Sequence, residues 1–143
     1  HSWRCALYVK YETGFFGMIP IAWEGHSSFR IRDSKEVDGW YDISGCKLQV
    51  NEWSHYVVSY NAKTETAYAY INGQLVGSMK NVPGNRYAKR IVLGGDVFQP
   101  SFIGKICEVT FYNEIRDHDF VSELHQSYVT RDDFIGFEIG IDK

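Results

Sequence analysis

The chain has 143 residues and a formal net charge of −3, and 16% of its residues are aromatic. The charge leaves no basic footprint for nucleic acid, and the sequence has no run of about 18 apolar residues that would insert into a membrane. The composition suits half-buried strands, and the length suits one domain over residues 1–143. Because the chain begins at His1 and not at Met, we expect a processed product or a piece of a larger protein with other domains.

Short apolar and aromatic runs recur along the chain with glycine-containing turns between them. Such spacing is typical of a β-sandwich or β-barrel. The predicted strands are Trp3–Tyr11, Met18–Trp23, Phe29–Arg32, Trp40–Ile43, Lys47–Val50, Trp53–Tyr60, Thr66–Ile71, Gln74–Ser78, Arg90–Leu93, Phe102–Tyr112 and Ile135–Ile141.

The most informative part of the sequence is a three-strand meander that begins at Trp53. Its last two strands are joined by Asn72-Gly73. A two-residue type I′ turn needs positive φ at both central residues, and Asn-Gly meets that need best. The meander therefore predicts an antiparallel sheet.

One segment has helical periodicity instead. From Asp117 to Tyr128 the apolar residues Phe120, Leu124 and Tyr128 recur every four positions. Asp117 is a natural N-cap, because its carboxylate can accept from unpaired N–H groups of the first turn. We predict a short helix near 117–128 that packs on the sandwich.

Three cysteines, Cys5, Cys46 and Cys107, lie far apart without the spacing of a zinc site. Cys5 and Cys107 both fall on apolar faces of predicted strands. They are either free, buried thiols or partners in a disulfide, and the second alternative would favour an oxidising compartment.

Several pieces of the sequence, in this order, resemble the LamG-like jelly-roll domains of the concanavalin A-like lectin/glucanase superfamily. The resemblance implies an all-β, two-sheet antiparallel jelly-roll sandwich with one short helix. It covers most of the chain, from Trp3 to Tyr128. The pieces are Trp53-x-His55-x-Val57, Tyr70-Ile-Asn72-Gly73, Leu93-Gly94-Gly95-Asp96 and Phe102-x-Gly104-x-Ile106.

The same resemblance implies a structural calcium ion. Relatives often carry an acidic residue after the isoleucine of the late strand, where this chain has Cys107. Sulfur is a poor ligand for a hard cation, which weakens the inference. Asp96 is the remaining candidate ligand, and the alternative for Asp96 is a turn aspartate.

Catalytic residues are hard to find in this sequence. A retaining glycosidase needs two carboxylates about 5–5.5 Å apart. The nearest acidic run, Glu36-Val-Asp38-Gly-Trp40-Tyr-Asp42, has a glycine at its centre and no second glutamate, and Glu108 stands alone on its strand. We therefore expect no enzymatic activity.

The sequence favours a non-catalytic binding module, carbohydrate-binding and lectin-like, in an extracellular or cell-surface protein. Aromatic rings offer sugars flat apolar faces, and a few polar groups orient them. The alternatives are a protein-interaction, adhesion or architectural module without a glycan ligand and, third, a glycoside hydrolase.

The candidate ligand-binding residues lie in two loop-rich stretches. In the first, Trp40 is either an exposed stacking platform or a core residue. The first group is Arg30, Arg32, Asp38, Trp40 and Tyr41, and the second is Asn85, Arg86, Tyr87 and the loop Asp96–Pro100.

Overall fold

The computed structural model describes residues 3–35, 38–83 and 87–130, which form two antiparallel sheets and one helix. One sheet has five strands in the order β4-β3-β2-β1-β8, and the other has three in the order β5-β6-β7. This confirms the predicted all-β, two-sheet jelly-roll sandwich. The elements are β1 Leu7–Lys10, β2 Gly14–Ile19, β3 His26–Asp33, β4 Trp40–Lys47, β5 Tyr56–Asn61, β6 Thr66–Ile71, β7 Gln74–Met79, β8 Arg90–Leu93 and α1 His118–Val129.

The main core lies between the facing sides of the two sheets. Alternate residues of each strand point to it, as the pleat of a β-strand requires. Phe29, on β3 of the five-stranded sheet, is 1% exposed, and its ring lies 5.7 Å from that of Tyr56 on the other sheet. The buried core residues are Val9, Phe16, Phe29, Ile43, Ala67, Ala69, Ile71 and Val82.

A glycine allows the two sheets to approach each other closely. A Cβ atom built on Gly77 of β7 would lie 2.6 Å from the Cγ2 atom of Ile43 on β4. A larger residue at this position would therefore push the sheets apart.

The meander and its turn confirm the strongest sequence prediction. Asn72 and Gly73 both have positive φ, 51° and 77°, as a type I′ turn requires. Ile71 and Gln74 form the last pair before the turn. The Asn72 Oδ1 atom also accepts from the backbone N–H of His55 at 2.8 Å, which ties the turn to the entry of β5.

The helix also confirms its prediction, including the residue that starts it. Asp117 is the N-cap of α1, and its carboxylate accepts from the backbone N–H of Phe120 at 2.9 Å. Val121 is the buried residue of α1. Among the described residues there is no helix long and apolar enough to cross a membrane.

Three strand predictions are wrong. The predicted strand Lys47–Val50 does not form, because β4 runs from Trp40 to Lys47 and residues 48–50 belong to no strand. Residues 102–112 form no strand, and within them Glu108 has a φ of 50°, a left-handed conformation that an extended ladder cannot include. The predicted strand Met18–Trp23 is displaced, because β2 begins at Gly14 and ends at Ile19 before Pro20, which has no N–H to donate. The predicted strand Ile135–Ile141 lies outside the described residues.

The three cysteines are free thiols in different environments. Cys5 is buried, Cys107 is half-buried and Cys46 is exposed. Burial raises the pKa of the Cys5 thiol, and a hydrogen bond between that thiol and the Asp96 carboxylate raises it further. Since the thiolate is the reactive form, the raised pKa makes Cys5 less reactive as well as less accessible.

We predict that a thiol reagent modifies Cys46 first, Cys107 more slowly and Cys5 only on unfolding. Mass spectrometry of samples quenched at increasing times, with a denatured sample as the fully labelled control, measures this order. Labelling of Cys5 in the native protein as fast as that of Cys46 would contradict it.

Candidate ligand-binding face

Alternation along β3 separates a core face from an outer face. Phe29 and Ile31 pack into the core between the sheets. Arg30 and Arg32, at the intervening positions, therefore lie on the outer face of the five-stranded sheet. The register of β3 with β4 pairs Arg30 with Asp42 and Arg32 with Trp40.

An ion pair forms the centre of this face. The Arg30 Nε and Nη2 atoms donate to the two carboxylate oxygens of Asp42 at 2.7 Å and 2.8 Å. The two side chains are only 20% and 26% exposed. Bidentate pairs of this kind are geometrically specific, so Arg30 and Asp42 hold each other in one orientation.

Three indole rings surround the Arg30 guanidinium. Its Cζ atom lies 4.6 Å from the ring centroid of Trp3, 5.6 Å from that of Trp23 and 5.0 Å from that of Trp40. These distances are within the range of cation–π attraction. Trp23 and Trp40 nevertheless remain 57% and 51% exposed.

We call Trp3, Trp23, Arg30, Arg32, Trp40 and Asp42 the outer-face cluster. Arg32 extends it, with its Cζ atom 4.9 Å from the Trp40 ring centroid. The cluster thus combines exposed apolar rings with fixed charged hydrogen-bonding groups. This combination is chemically suited to a ligand with both flat apolar faces and polar substituents.

Aromatic side chains continue from the cluster across the sheet. The Phe15 ring lies 6.0 Å from that of Trp40, and the Phe98 ring lies 5.5 Å from that of Phe15. Beneath them Tyr8, 1% exposed, belongs to a second buried group with Cys5, Ile19 and Ala22.

The structure brings together only part of the predicted site. Arg30, Arg32 and Trp40 share the outer face, and Asp38 is exposed in the turn before β4, where its backbone oxygen accepts from the Trp40 N–H at 2.7 Å. Tyr41 packs on the core side of the sheet. Their positions do not test ligand binding, so the ligand-binding role of each residue stays a prediction.

The second predicted group is divided. Phe98 of the loop Asp96–Pro100 contacts Phe15 beside the outer-face cluster, whereas Tyr87 does not. Tyr87 is 82% exposed and lines an apolar cavity of about 1450 Å³ between the sheets, away from the outer-face cluster. Asn85 and Arg86 lie outside the described residues, as does Glu36 of the acidic run.

Sequence reasoning did not identify Trp3, Trp23 and Asp42 as members of the site. The alternation of β3 and β4 was a usable signal for Asp42, since it shares the parity of Trp40. No comparable signal existed for Trp3 and Trp23, whose rings meet edge to face at 4.8 Å although 20 positions separate them in the chain.

Asp96 has the contacts of a turn residue. Its Oδ1 atom accepts from the backbone N–H groups of Phe98 at 2.6 Å and Gln99 at 2.7 Å. Calcium takes six to eight oxygen ligands, and among the described residues no group of three acidic, histidine or cysteine side chains is placed to hold a metal ion. These residues therefore do not by themselves fit a calcium site, and calcium binding stays a prediction of the resemblance.

A comparison of melting temperatures in millimolar calcium and in a chelator tests that prediction. Selective binding to the native state would raise the melting temperature in calcium. Equal melting temperatures would contradict a structural ion.

A separate cluster of titratable groups lies where α1 meets the Asn72-Gly73 turn. The imidazole rings of His55 and His125 stack at 5.8 Å, with an angle of 7° between their planes. The Nδ1 atoms of both are buried without a hydrogen-bond partner among the described residues. Tyr128 contacts the His55 ring and donates to Glu108 at 3.0 Å.

Burial lowers the pKa of His55, the neighbouring His125 lowers it further, and Glu108 opposes the change. The folded state therefore favours the neutral imidazole more than the unfolded chain does. Unfolded histidine titrates near a pKa of about 6.5. The stabilisation from neutral His55 is present above that pH and is lost as the pH falls below it, because the unfolded state takes up the proton first.

We predict that the free energy of unfolding decreases between pH 7 and pH 5, and that His55→Gln makes this decrease shallower. Denaturant titrations at several pH values measure it. A His26→Gln variant, on the other sheet, is the control and should keep the wild-type profile. An unchanged profile in His55→Gln would contradict the assignment.

The chain belongs to the concanavalin A-like lectin/glucanases superfamily, because the Laminin_G_3 family model matches residues 2–122. The matched range includes all eight described strands and ends within α1. No curated protein and no solved structure matches the chain. Membership of this superfamily accounts for the sandwich fold but does not identify a ligand.

Proposed function

We propose that the protein is a non-catalytic carbohydrate-binding module that binds a glycan on the outer-face cluster. The observation that carries this proposal is the exposure of Trp23 and Trp40, whose rings both lie beside the guanidinium of the fixed Arg30–Asp42 pair. Sugar rings can stack their C–H faces on the indoles, while the arginine and aspartate side chains orient the hydroxyl groups.

The chemistry of the cluster supports binding more than hydrolysis. A glycosidase needs one carboxyl group as acid and a second as nucleophile or base. Asp42 uses both carboxylate oxygens in its pair with Arg30. Glu108 accepts from Tyr128 in the separate His55–His125 cluster.

A carbohydrate-binding module of this kind would act within a secreted or cell-surface protein, beside other domains. The family membership supports that setting. Three free thiols are compatible with it, since a disulfide is not required for a sandwich of this size.

The second candidate function is protein interaction or adhesion. It is favoured by a run of exposed apolar side chains in the segment before α1, which includes Ile103, Phe111 and Ile115 at 78%, 60% and 49% exposure. Consistent absence of binding to neutral and acidic glycans would favour this function.

We predict that Trp40→Ala weakens glycan binding by at least about tenfold, as truncation of an aromatic anchor does at many binding sites. The melting temperature should stay close to wild type, because half of the indole surface is already exposed. Affinity electrophoresis in gels that contain a single polysaccharide measures binding, and circular dichroism measures melting.

Trp53→Ala is the matched control. Trp53 is 59% exposed, lies before β5 and does not belong to the outer-face cluster. Equal loss of binding in both variants, or a large loss of stability in Trp40→Ala, would contradict the proposed site.

A further inference from the structure

Histidines are concentrated where α1 contacts the rest of the domain. Of the five histidines in the chain, His118 and His125 lie on α1, and His55 lies directly before β5. The His118 ring stacks on that of Tyr70 at 6.0 Å, and the His125 ring stacks on that of His55 at 5.8 Å. Both halves of the helix therefore contact the domain through an imidazole.

The helix covers the outer side of the three-stranded sheet. Ala69 and Ile71 of β6 pack in the main core, so Tyr70 between them points to the opposite side, where it is 4% exposed and contacts α1. Among the 12 residues of α1, only Val121 is buried. A helix of this length is marginal in water by itself, so α1 depends on this small contact. It is therefore suited to separate from the sheet before the sandwich unfolds.

We call His55 and His125 the imidazole pair. His125 packs directly on the Asn72-Gly73 turn, since a Cβ atom built on Gly73 would lie 3.1 Å from the His125 Cβ atom. The Nδ1 atoms of the pair are buried without a hydrogen-bond partner among the described residues. If both rings were protonated in this stack, two like charges would face each other and neither Nδ1–H would have an acceptor. The docked helix therefore disfavours protonation of the pair.

Glu108 compensates for only part of this cost. Its carboxylate favours the protonated form of His55, but burial and the neighbouring His125 outweigh it, and the pKa of His55 is lowered. The same carboxylate accepts from the Tyr128 hydroxyl at 3.0 Å. Glu108 is thus the charged group that sets how strongly docking opposes protonation.

The other charged groups near the pair lie on α1, just before it, or before β5. They do not contribute to the change in the pKa of His55, which comes from burial, His125 and Glu108. Arg116 pairs with Glu114 at 3.0 Å, Asp117 caps the helix, and Glu52, Asp119 and Glu123 are exposed.

We propose that acid separates α1 from the three-stranded sheet through protonation of the imidazole pair, while the rest of the sandwich stays folded. In the released state both rings are in water and titrate near a pKa of about 6.5. Below that pH the released state takes up protons first, so release becomes more favourable by up to about tenfold per pH unit for each histidine. Release uncovers Tyr70 and Val121, so the domain gains an apolar surface in acid that is distinct from the outer-face cluster.

Hydrogen exchange of the full chain, measured by mass spectrometry at pH 7.5 and pH 5 and corrected for the intrinsic rate at each pH, tests the inference. We expect the protection of α1 to fall by about tenfold and that of β3 to change little. His55→Gln/His125→Gln should lose most of this fall. His118→Gln is the matched control, because His118 is exposed on the same helix outside the pair, and it should keep the wild-type fall.

Glu108→Gln tests the role of charge at the pair. Glutamine keeps an oxygen that can accept from Tyr128 but removes the charge that favours protonated His55. Docking then opposes protonation more strongly. The protection of α1 should equal that of the wild type at pH 7.5 and be several-fold lower than that of the wild type at pH 5.

Three outcomes would overturn the inference. They are equal loss of protection in α1 and β3, which would show general acid unfolding, unchanged protection of α1 in acid, and a wild-type fall in His55→Gln/His125→Gln. If that double variant lacks protection of α1 at both pH values, Glu108→Gln decides. A greater loss in acid than in the wild type supports the inference, and an equal or smaller loss overturns it.

Discussion

The antiparallel pairing of β3 with β4 is the constraint on which the outer face depends. The pleat places Phe29 and Ile43, which are paired, in the core between the sheets. The same register then places Arg30 opposite Asp42 on the other side of the sheet. A slip of one residue would bury the charges and expose the core, so the packing of the core also fixes the geometry of the site.

The Arg30–Asp42 pair is partly buried, which limits the free-energy cost of removing its charges from water. A charged pair gains little at a fully exposed surface and is costly to desolvate completely. Here the three indoles cover the guanidinium, and the Asp42 side chain stays 26% exposed, so water still solvates part of the pair. The rings therefore shield the ion pair and at the same time remain available to a ligand.

Local sequence signals predicted the elements whose cause is local. Asn72-Gly73 specifies its own turn, and Asp117 specifies the start of α1, so both were predictable from neighbouring residues. Residues 102–112 were not predictable in this way, because their apolar alternation resembles a strand while Glu108 takes a left-handed conformation. The positions of Trp3 and Trp23 depend on contacts between distant parts of the chain. Local sequence patterns do not predict such contacts.

The distribution of tryptophan has a consequence for spectroscopy. Three of the four tryptophans in the chain surround Arg30, and the fourth, Trp53, lies outside that cluster. Intrinsic fluorescence of the native protein is thus weighted toward a single face of the molecule. Emission wavelength and quenching by small solutes will accordingly report the polarity and access of that face, without any attached dye.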